Sequence, residues 1–360
     1  MSMSALSALE TLGSARFETP AILKRLVSAH RQLAEFKGVA ASMPNQGILL
    51  NTLALQEAKD SSEIENIITT HDELYAYDQS GSASPAAKEV QNYIAALKVG
   101  FTDVVHTGLI RMDTILRVQE QVEQNNAGFR KLPGTVLKNQ ATGALVYAPP
   151  QDAVVIEKLM TQLVDFIHAD DDYDPLLRMA IAHHQFESIH PFYDGNGRTG
   201  RILNLLMLQR EGLMELPVLY LSRYITSTKA QYYQLLQSTR ETHAWADWCV
   251  YVLKGVAVTA RSEIRLIKQL RELMQATKQR LRDDLPKLYS QELLSNLFRY
   301  PYTKIEFVEK DLGVSRITAA KHLDVLVAAG YVEKKKIGRT NFYINRPLFA
   351  LLTQISLNDE

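Results

Sequence analysis

The sequence predicts a mainly α-helical protein with one small β-hairpin and a separate C-terminal α+β domain, and three observations carry that prediction. Apolar residues recur at the spacing of a helix face over Ile22–Phe36, Val90–Phe101, Met112–Val122, Ile156–Ile167, Leu176–Phe186, Ile202–Leu208 and Trp245–Leu253. Gly128–Pro150 breaks the pattern with glycines, prolines and β-branched residues, so it reads as a hairpin whose turn is Asn139–Gly143. After a charged helix over Ala257–Asp284, Pro286 marks a boundary, and the residues beyond it have a different character.

A chain of 360 residues is too long for one core. The expected division is an N-terminal helical region (1–105), a central core (106–255), a linker helix (256–285) and a C-terminal domain (286–360). Formal net charge is zero, so only local charge can point to nucleic acid. The single cysteine, Cys249, excludes an internal disulfide framework and fits a reducing cytoplasm; its amphipathic surroundings make it a buried structural thiol. No apolar run approaches a membrane span, and no signal-peptide pattern is present at the N-terminus.

The candidate chemistry lies in "IHPFYDGNGRTGR". Gly195, Asn196 and Gly197 allow successive backbone N–H groups to converge on an anion. A helix beginning near Arg198 and running to Gly212 aims its N-terminal amides and dipole at the same place. Arg198 and Arg201, one turn apart, are expected to share a face and present forks suited to phosphate oxygens. Asp194 offers a hard oxygen ligand for Mg²⁺, and His190 has the ordinary pKa of a base near neutrality. Together they imply phosphoryl or nucleotidyl transfer.

This stretch resembles the Fic (filamentation induced by cAMP) family motif H-x-F-x-[DE]-G-N-G-R-x-x-R at every specified position: His190, Phe192, Asp194, Gly195, Asn196, Gly197, Arg198 and Arg201. With each residue type near about one in twenty, coincidence is on the order of 10⁻¹⁰ per start point. The resemblance extends over roughly residues 30–255 and implies a Fic-type helical core. It implies that His190 deprotonates a target hydroxyl that attacks the α-phosphorus of ATP, and that Asp194 holds Mg²⁺. It implies that the amides of Gly195–Gly197 with the Asn196 side chain stabilise the α-phosphate, and that Arg198 and Arg201 hold the β- and γ-phosphates. Thr199 and Gly200 belong to the same ATP-binding turn, and Phe192 is a core anchor. The hairpin resembles the Fic flap, with Val136 and Lys138 as contacts for an extended target segment. Tyr232 either lines the adenine pocket or is a partly buried helix tyrosine. Gly197 favours AMP transfer, since the Doc-type kinase branch carries Lys there. His183 and His184, adjacent on a helix, point about 100° apart and are read as packing residues rather than metal ligands.

"SSEIEN" admits two readings. Ser62-x-x-Glu65 is a capping box that would start a helix. By family resemblance, Ser61, Glu65 and Asn66 match the inhibitory pattern [ST]-x-x-x-E-[GN], which implies that Glu65 pairs with Arg201 and blocks the γ-phosphate position.

The C-terminal segment reads as helix, turn at Gly313, helix from Ser315, then two strands around a lysine-rich tip, a winged helix-turn-helix pattern. Between Lys287 and Arg346 eleven Lys and Arg face six Asp and Glu. Arg316 and Lys321 on the second helix, and Lys334, Lys335, Lys336 and Arg339 at the wing, are the candidate DNA contacts. A winged helix serving protein contacts or dimerisation competes with that reading, and reading two half-sites would call for a homodimer.

The expected function is a cytoplasmic protein adenylyltransferase that moves AMP from ATP onto Tyr, Ser or Thr hydroxyls of proteins, itself included, with Glu65 as brake. An AMP-removing phosphodiesterase and a DNA-binding regulator that senses nucleotide are the alternatives.

Overall fold

The computed structural model describes residues 9, 12–75, 84–138 and 142–353. It is mainly helical, with two small antiparallel sheets. The helices start where local chemistry stops the N–H groups from being orphaned. Thr19, Asn45, Ser84, Asp152 and Asp174 cap α1 (Pro20–Ala41), α2 (Gln46–Ile64), α4 (Pro85–Thr107), α6 (Ala153–His168) and α7 (Pro175–Ile189) with side-chain oxygens. Proline at the first position of α1, α4 and α7 pre-sets φ where no N–H is needed. Between them lie the short α3 (His71–Tyr75) and α5 (Met112–Glu123).

The body is centred on α7 and α8 (Asn196–Arg210), both buried on nearly all sides. Helices α2, α4 and α5 pack on α8, while α6 and the long α11 (Trp245–Asp284) pack on α7, with α9 (Leu221–Ser227) between α2 and α11 and α10 (Lys229–Thr242) against α9 and α11. Helix α1 lies along α11. The flap hairpin pairs β1 (Leu137–Lys138) with β2 (Leu145–Tyr147). Of its expected turn, Asn139–Ala141 lie outside the described residues.

Two local expectations change. The helix expected over Ala257–Asp284 is continuous with the one before it as α11, so the 255/256 boundary falls inside a helix. Gly255 does not break it; the missing side chain admits the Tyr224 ring, which a Cβ would meet at 2.7 Å. Ser62 and Glu65 do not form a capping box at a helix start. They end α2, with Asn66 at φ 62° and the Ile67 amide donating back to the Ser62 carbonyl, a left-handed C-terminal turn.

The C-terminal elements are α12 (Gln291–Arg299), β3 (Tyr302–Thr303), α13 (Ile305–Leu312), α14 (Arg316–Ala328), β4 (Glu333–Ile337), β5 (Thr340–Ile344) and α15 (Arg346–Thr353). Gly313 takes φ 63° between α13 and α14, and the sheet order is β3-β5-β4. This part is joined to the body where α12 meets α2 and α15 meets α11.

Candidate active site

The site is a loop between two buried helices. Helix α7 ends at His190, whose φ of 49° is left-handed, a conformation costly for a residue with a Cβ. The turn is held from both sides: the His190 amide donates to the Phe186 carbonyl at 2.9 Å, and the His190 carbonyl accepts from Arg130 Nε at 2.8 Å. Phe192 lies fully buried against Phe129 and Phe186 and anchors the loop from below. Gly195, at φ 75°, then turns the chain into α8, whose first amides face the loop.

Asn196 braces its own loop. Its carboxamide is buried, with Oδ1 accepting from the Phe192 amide at 2.8 Å and Nδ2 donating to the Phe192 carbonyl at 2.9 Å. It closes the loop on itself. Asp194 is exposed, with Oδ1 accepting from the Gly195 amide at 2.7 Å and no hydrogen bond to Oδ2 among the described residues. An exposed carboxylate in the loop that opens α8 fits Mg²⁺ held together with a phosphate.

The two arginines of α8 diverge rather than share one clamp. Arg198 sends Nη1 to Glu89 of α4 at 2.8 Å and Nη2 to Glu123 of α5 at 2.6 Å. Arg201 sends Nε to Ser61 Oγ at 2.8 Å, and Nη2 to the Ser61 carbonyl at 2.9 Å and Glu65 Oε1 at 2.8 Å. The Glu65 carboxylate also sits against Gly197, where a Cβ would collide with Oε1. A carboxylate therefore lies against the first turn of α8, and a side chain at 197 would force it to shift.

Burial sets the proton equilibria here. It lowers His190 to about 4, helped by Arg130 and Arg240, so the imidazole is neutral near pH 7. Burial would raise the Glu65 carboxyl, but Arg201 outweighs it and holds the group below the usual carboxylate range. Glu187, one turn before His190, is pushed by burial to about 7.

Tyr232 is buried, its hydroxyl 2.9 Å from His183 Nε2, and the adjacent accessible ring is Tyr233. His183 and His184 are packing residues: both are buried against Trp248, with pKa values lowered by burial to about 3. Thr199 and Gly200 lie inside α8, and Gly200 lets the helix approach Phe186 and Glu187. Val136 and Lys138 are exposed on the flap beside exposed Leu145 and Val146. The flap root is fixed by Tyr193, whose hydroxyl accepts from the Lys131 and Leu132 amides, and by Tyr147, which donates to the Ser188 carbonyl at 2.9 Å and lies under the Arg240 guanidinium. Of the candidate DNA contacts, Arg316, Lys334 and Lys335 pair with Glu306, Asp324 and Asp72, and the other three have no ion pair among the described residues.

Sequence reasoning missed Arg130, Glu89, Glu123 and Arg240. The one signal was Arg130 itself, a charged residue inside a Gly- and Pro-rich stretch, where burial demands backbone partners.

Fold and loop together define a Fic-type protein, an anion nest at a helix N-terminus with a histidine at the end of the preceding helix. Three family models match the chain: Fic/DOC family N-terminal over residues 23–102, Fic/DOC family over 109–208, and the C-terminal domain of SoFic-like protein adenylyltransferase over 273–348. The chain belongs to the Fic/DOC family. It is 37% identical over 94 residues to protein adenylyltransferase fic-1 of Caenorhabditis briggsae, covering 25% of this chain and 17% of that protein. It is 27% identical over 190 residues to a probable protein adenylyltransferase of Aquifex aeolicus, covering 50% of this chain and 55% of that one. These matches span from about a sixth to just over half of the relatives' own lengths. A Fic family protein from Desulfovibrio desulfuricans has the same fold at TM-score 0.59 and 20% identity, over 91% of this chain and 96% of that one. A Fic domain signalling protein from Bacteroides thetaiotaomicron follows at TM-score 0.55 and 18% identity, over 67% and 97%. Among the described residues no helix is long and apolar enough to cross a membrane.

Proposed function

We propose that the chain is a protein adenylyltransferase held in check by Glu65. The observation that carries this reading is the anion nest of α8 with the neutral imidazole of His190 at its edge and a carboxylate lodged where a phosphate would sit. The curated relatives named protein adenylyltransferases support it. His190 would take the proton from a Tyr, Ser or Thr hydroxyl. The oxygen then bonds to the α-phosphorus of ATP while the bond to the β-phosphate oxygen breaks, and pyrophosphate leaves with its electron pair. The amides of Gly195–Gly197 face the charge that develops on the α-phosphate, with Asn196 bracing their loop. Asp194 would hold Mg²⁺, which when bound neutralises part of the phosphate charge. Arg201 is the phosphate fork once Glu65 withdraws. Arg198, tied to Glu89 and Glu123, holds the first turn of α8 in place.

The flap, with Val136 and Lys138 at its exposed edge, would register an extended target segment. The basic residues Lys321, Lys336 and Arg339, joined by Arg316, Lys334 and Lys335, suit DNA phosphates, and a two-half-site reading calls for a homodimer. The single buried cysteine suits a reducing cytoplasm. Removal of AMP is the second reading, favoured by the place of Glu65 beside Gly197, from which a carboxylate could orient water.

The test is parallel incubation with α-³²P- and γ-³²P-labelled ATP, using wild type, Glu65→Gly and His190→Ala. Label from the α-position only, stronger in Glu65→Gly and lost in His190→Ala, is the expected result. Label from the γ-position makes the protein a kinase. No label from either, with release of AMP from a modified protein, makes it the phosphodiesterase.

A further inference from the structure

Helix α7 ends on carbonyls that its own chain does not satisfy. The Phe186 carbonyl takes the His190 amide, but the residue placed to serve Glu187 is Pro191, which has no N–H. The Phe192 amide that would serve Ser188 goes to Asn196 Oδ1 instead. Five carbonyls in a row, from Glu187 to Pro191, therefore accept from donors outside the helix. Arg240 Nη2 donates to Glu187 at 3.2 Å, and the Tyr147 hydroxyl donates to Ser188 at 2.9 Å. Arg130 serves the other three, with Nη2 on Ile189 at 3.3 Å, Nε on His190 at 2.8 Å and its own amide on Pro191 at 2.9 Å. Arg130 and Tyr147 come from the two arms of the flap, so four of the five carbonyls depend on the flap.

The same guanidinium joins the arms to each other. Arg130 Nη2 also donates to the Pro150 carbonyl, where the second arm ends. Gln151 adds a tie beside it, accepting from the Gly134 amide at 2.7 Å and donating to the Thr135 carbonyl at 2.9 Å. Beyond this root the hairpin exposes Val136, Leu145 and Val146, the surface on which an extended segment would lie. We propose that Arg130 is a positioning residue: it makes the flap and the His190 turn one unit, so that a target segment lying along the flap brings its hydroxyl to a fixed place beside the imidazole. The inference deepens the AMP-transfer reading above and rests on it. Lysine cannot take over the role, because one ammonium on a flexible stem does not span the Pro150, Ile189 and His190 carbonyls that the fork divides. Charge is separable from fork. Burial, then the Arg130 charge, then Arg240 lower His190 to about 4 against the pull of Glu65. Arg130→Ala removes both charge and fork, and Arg130→Lys removes the fork alone.

The experiment uses the full chain as Glu65→Gly and adds Arg130→Lys, Arg130→Ala or Tyr147→Phe. Self-labelling from α-³²P-labelled ATP gives a plateau rate and a half-saturating ATP concentration. The His190 ring is titrated by NMR, and amide hydrogen exchange is followed over residues 130–135 and 186–193. Arg130→Lys is expected to lower the plateau by about 10²-fold, to leave half-saturation unchanged and to speed exchange in both segments together. Tyr147→Phe loses one bond and keeps its ring, so it is expected to shift the same readouts by less; it carries the test if the Arg130 variants do not fold. The His190 titration is expected to hold in Arg130→Lys and to rise in Arg130→Ala. A parental plateau in Arg130→Lys and Tyr147→Phe overturns the assignment. So does a rise in half-saturating ATP with the plateau intact, or faster exchange in the flap alone. No rise of the titration in Arg130→Ala overturns the contact between Arg130 and the base. If Glu65→Gly itself labels nothing, the transfer reading has failed, and exchange and titration still decide whether Arg130 joins flap to base.

Discussion

Two sides of one helix start behave differently. Arg198 and Arg201 stand one turn apart on α8, and each is almost wholly buried against carboxylates. Arg198 is held by Glu89 and Glu123, on helices that wrap the same body, so its pairs come with the fold. Arg201 is held by Ser61 and Glu65, at the C-terminal end of α2, where the chain turns out through a left-handed Asn66. A buried arginine must be paired, because an unpaired buried charge costs several kcal/mol. The pairing can come from an element that never moves or from one that can. The first makes a strut, and under the proposed function the second makes a switch.

The comparison presumes that the nest between the two arginines is reactive. His190→Ala tests that directly and has the largest expected effect. Loss of the base should lower transfer by about 10²–10⁴-fold. ATP affinity should stay close to wild type, since in the proposed reaction the imidazole would meet the target hydroxyl rather than the phosphates. A variant that keeps its transfer rate would sink the assignment of His190.

Glu65→Gly sharpens the contrast next. It removes the carboxylate that pairs with Arg201 beside Gly197, which under the proposed function frees the fork for phosphate. Transfer should rise by about tenfold or more, which corresponds to about 1.4 kcal/mol of relief. The rise should come with tighter ATP binding, read by titration calorimetry. An unchanged rate would make Glu65 a structural cap.

Glu123→Gln probes the strut. Glu123 is mostly buried, and its neutralisation leaves Arg198 with Glu89 alone. Unfolding free energy should fall by about 1–3 kcal/mol, measured by denaturant titration. Transfer in a Glu65→Gly background should change far less than it does on release of the brake. A large gain in transfer from Glu123→Gln would erase the distinction between the two arginines.

The two sides were also unequally legible in the sequence. The nest, His190 and Asp194 fall within one contiguous stretch, where spacing on a single loop and helix carries the chemistry. Most of the helices were legible because their apolar stripes and caps are local. Glu65 was legible only through family resemblance, and its local reading as a capping box named the wrong helix end. Asn196 was a phosphate ligand only through the family resemblance, and no local signal told that its carboxamide would bond both ways to the Phe192 backbone. Glu89, Glu123 and Arg130 were silent. Each acts across more than fifty residues of chain, and no local periodicity records which helix faces which. Tyr232 fell between the two cases: a tyrosine pair on a helix does not say which ring faces the core.

The smallest expected effect concerns pH. Burial, Arg130 and Arg240 lower His190 to about 4, while Glu65 opposes them. A lowered histidine pKa means that the neutral, proton-accepting form persists as pH falls, down to the folded-state value. In Glu65→Gly the opposing charge is gone, so the base should stay competent at least as far into acid. The profile of kcat/KM reports groups of the free enzyme. For Glu65→Gly it should therefore be flat through the ordinary histidine range near 6.5 and fall only near pH 4 or below. A fall centred near 6.5 would mean that His190 is solvated when it works. The buried geometry of the α7 end would then open in the active form, and the rigid side of the comparison would extend less far than the Arg198 pairs indicate.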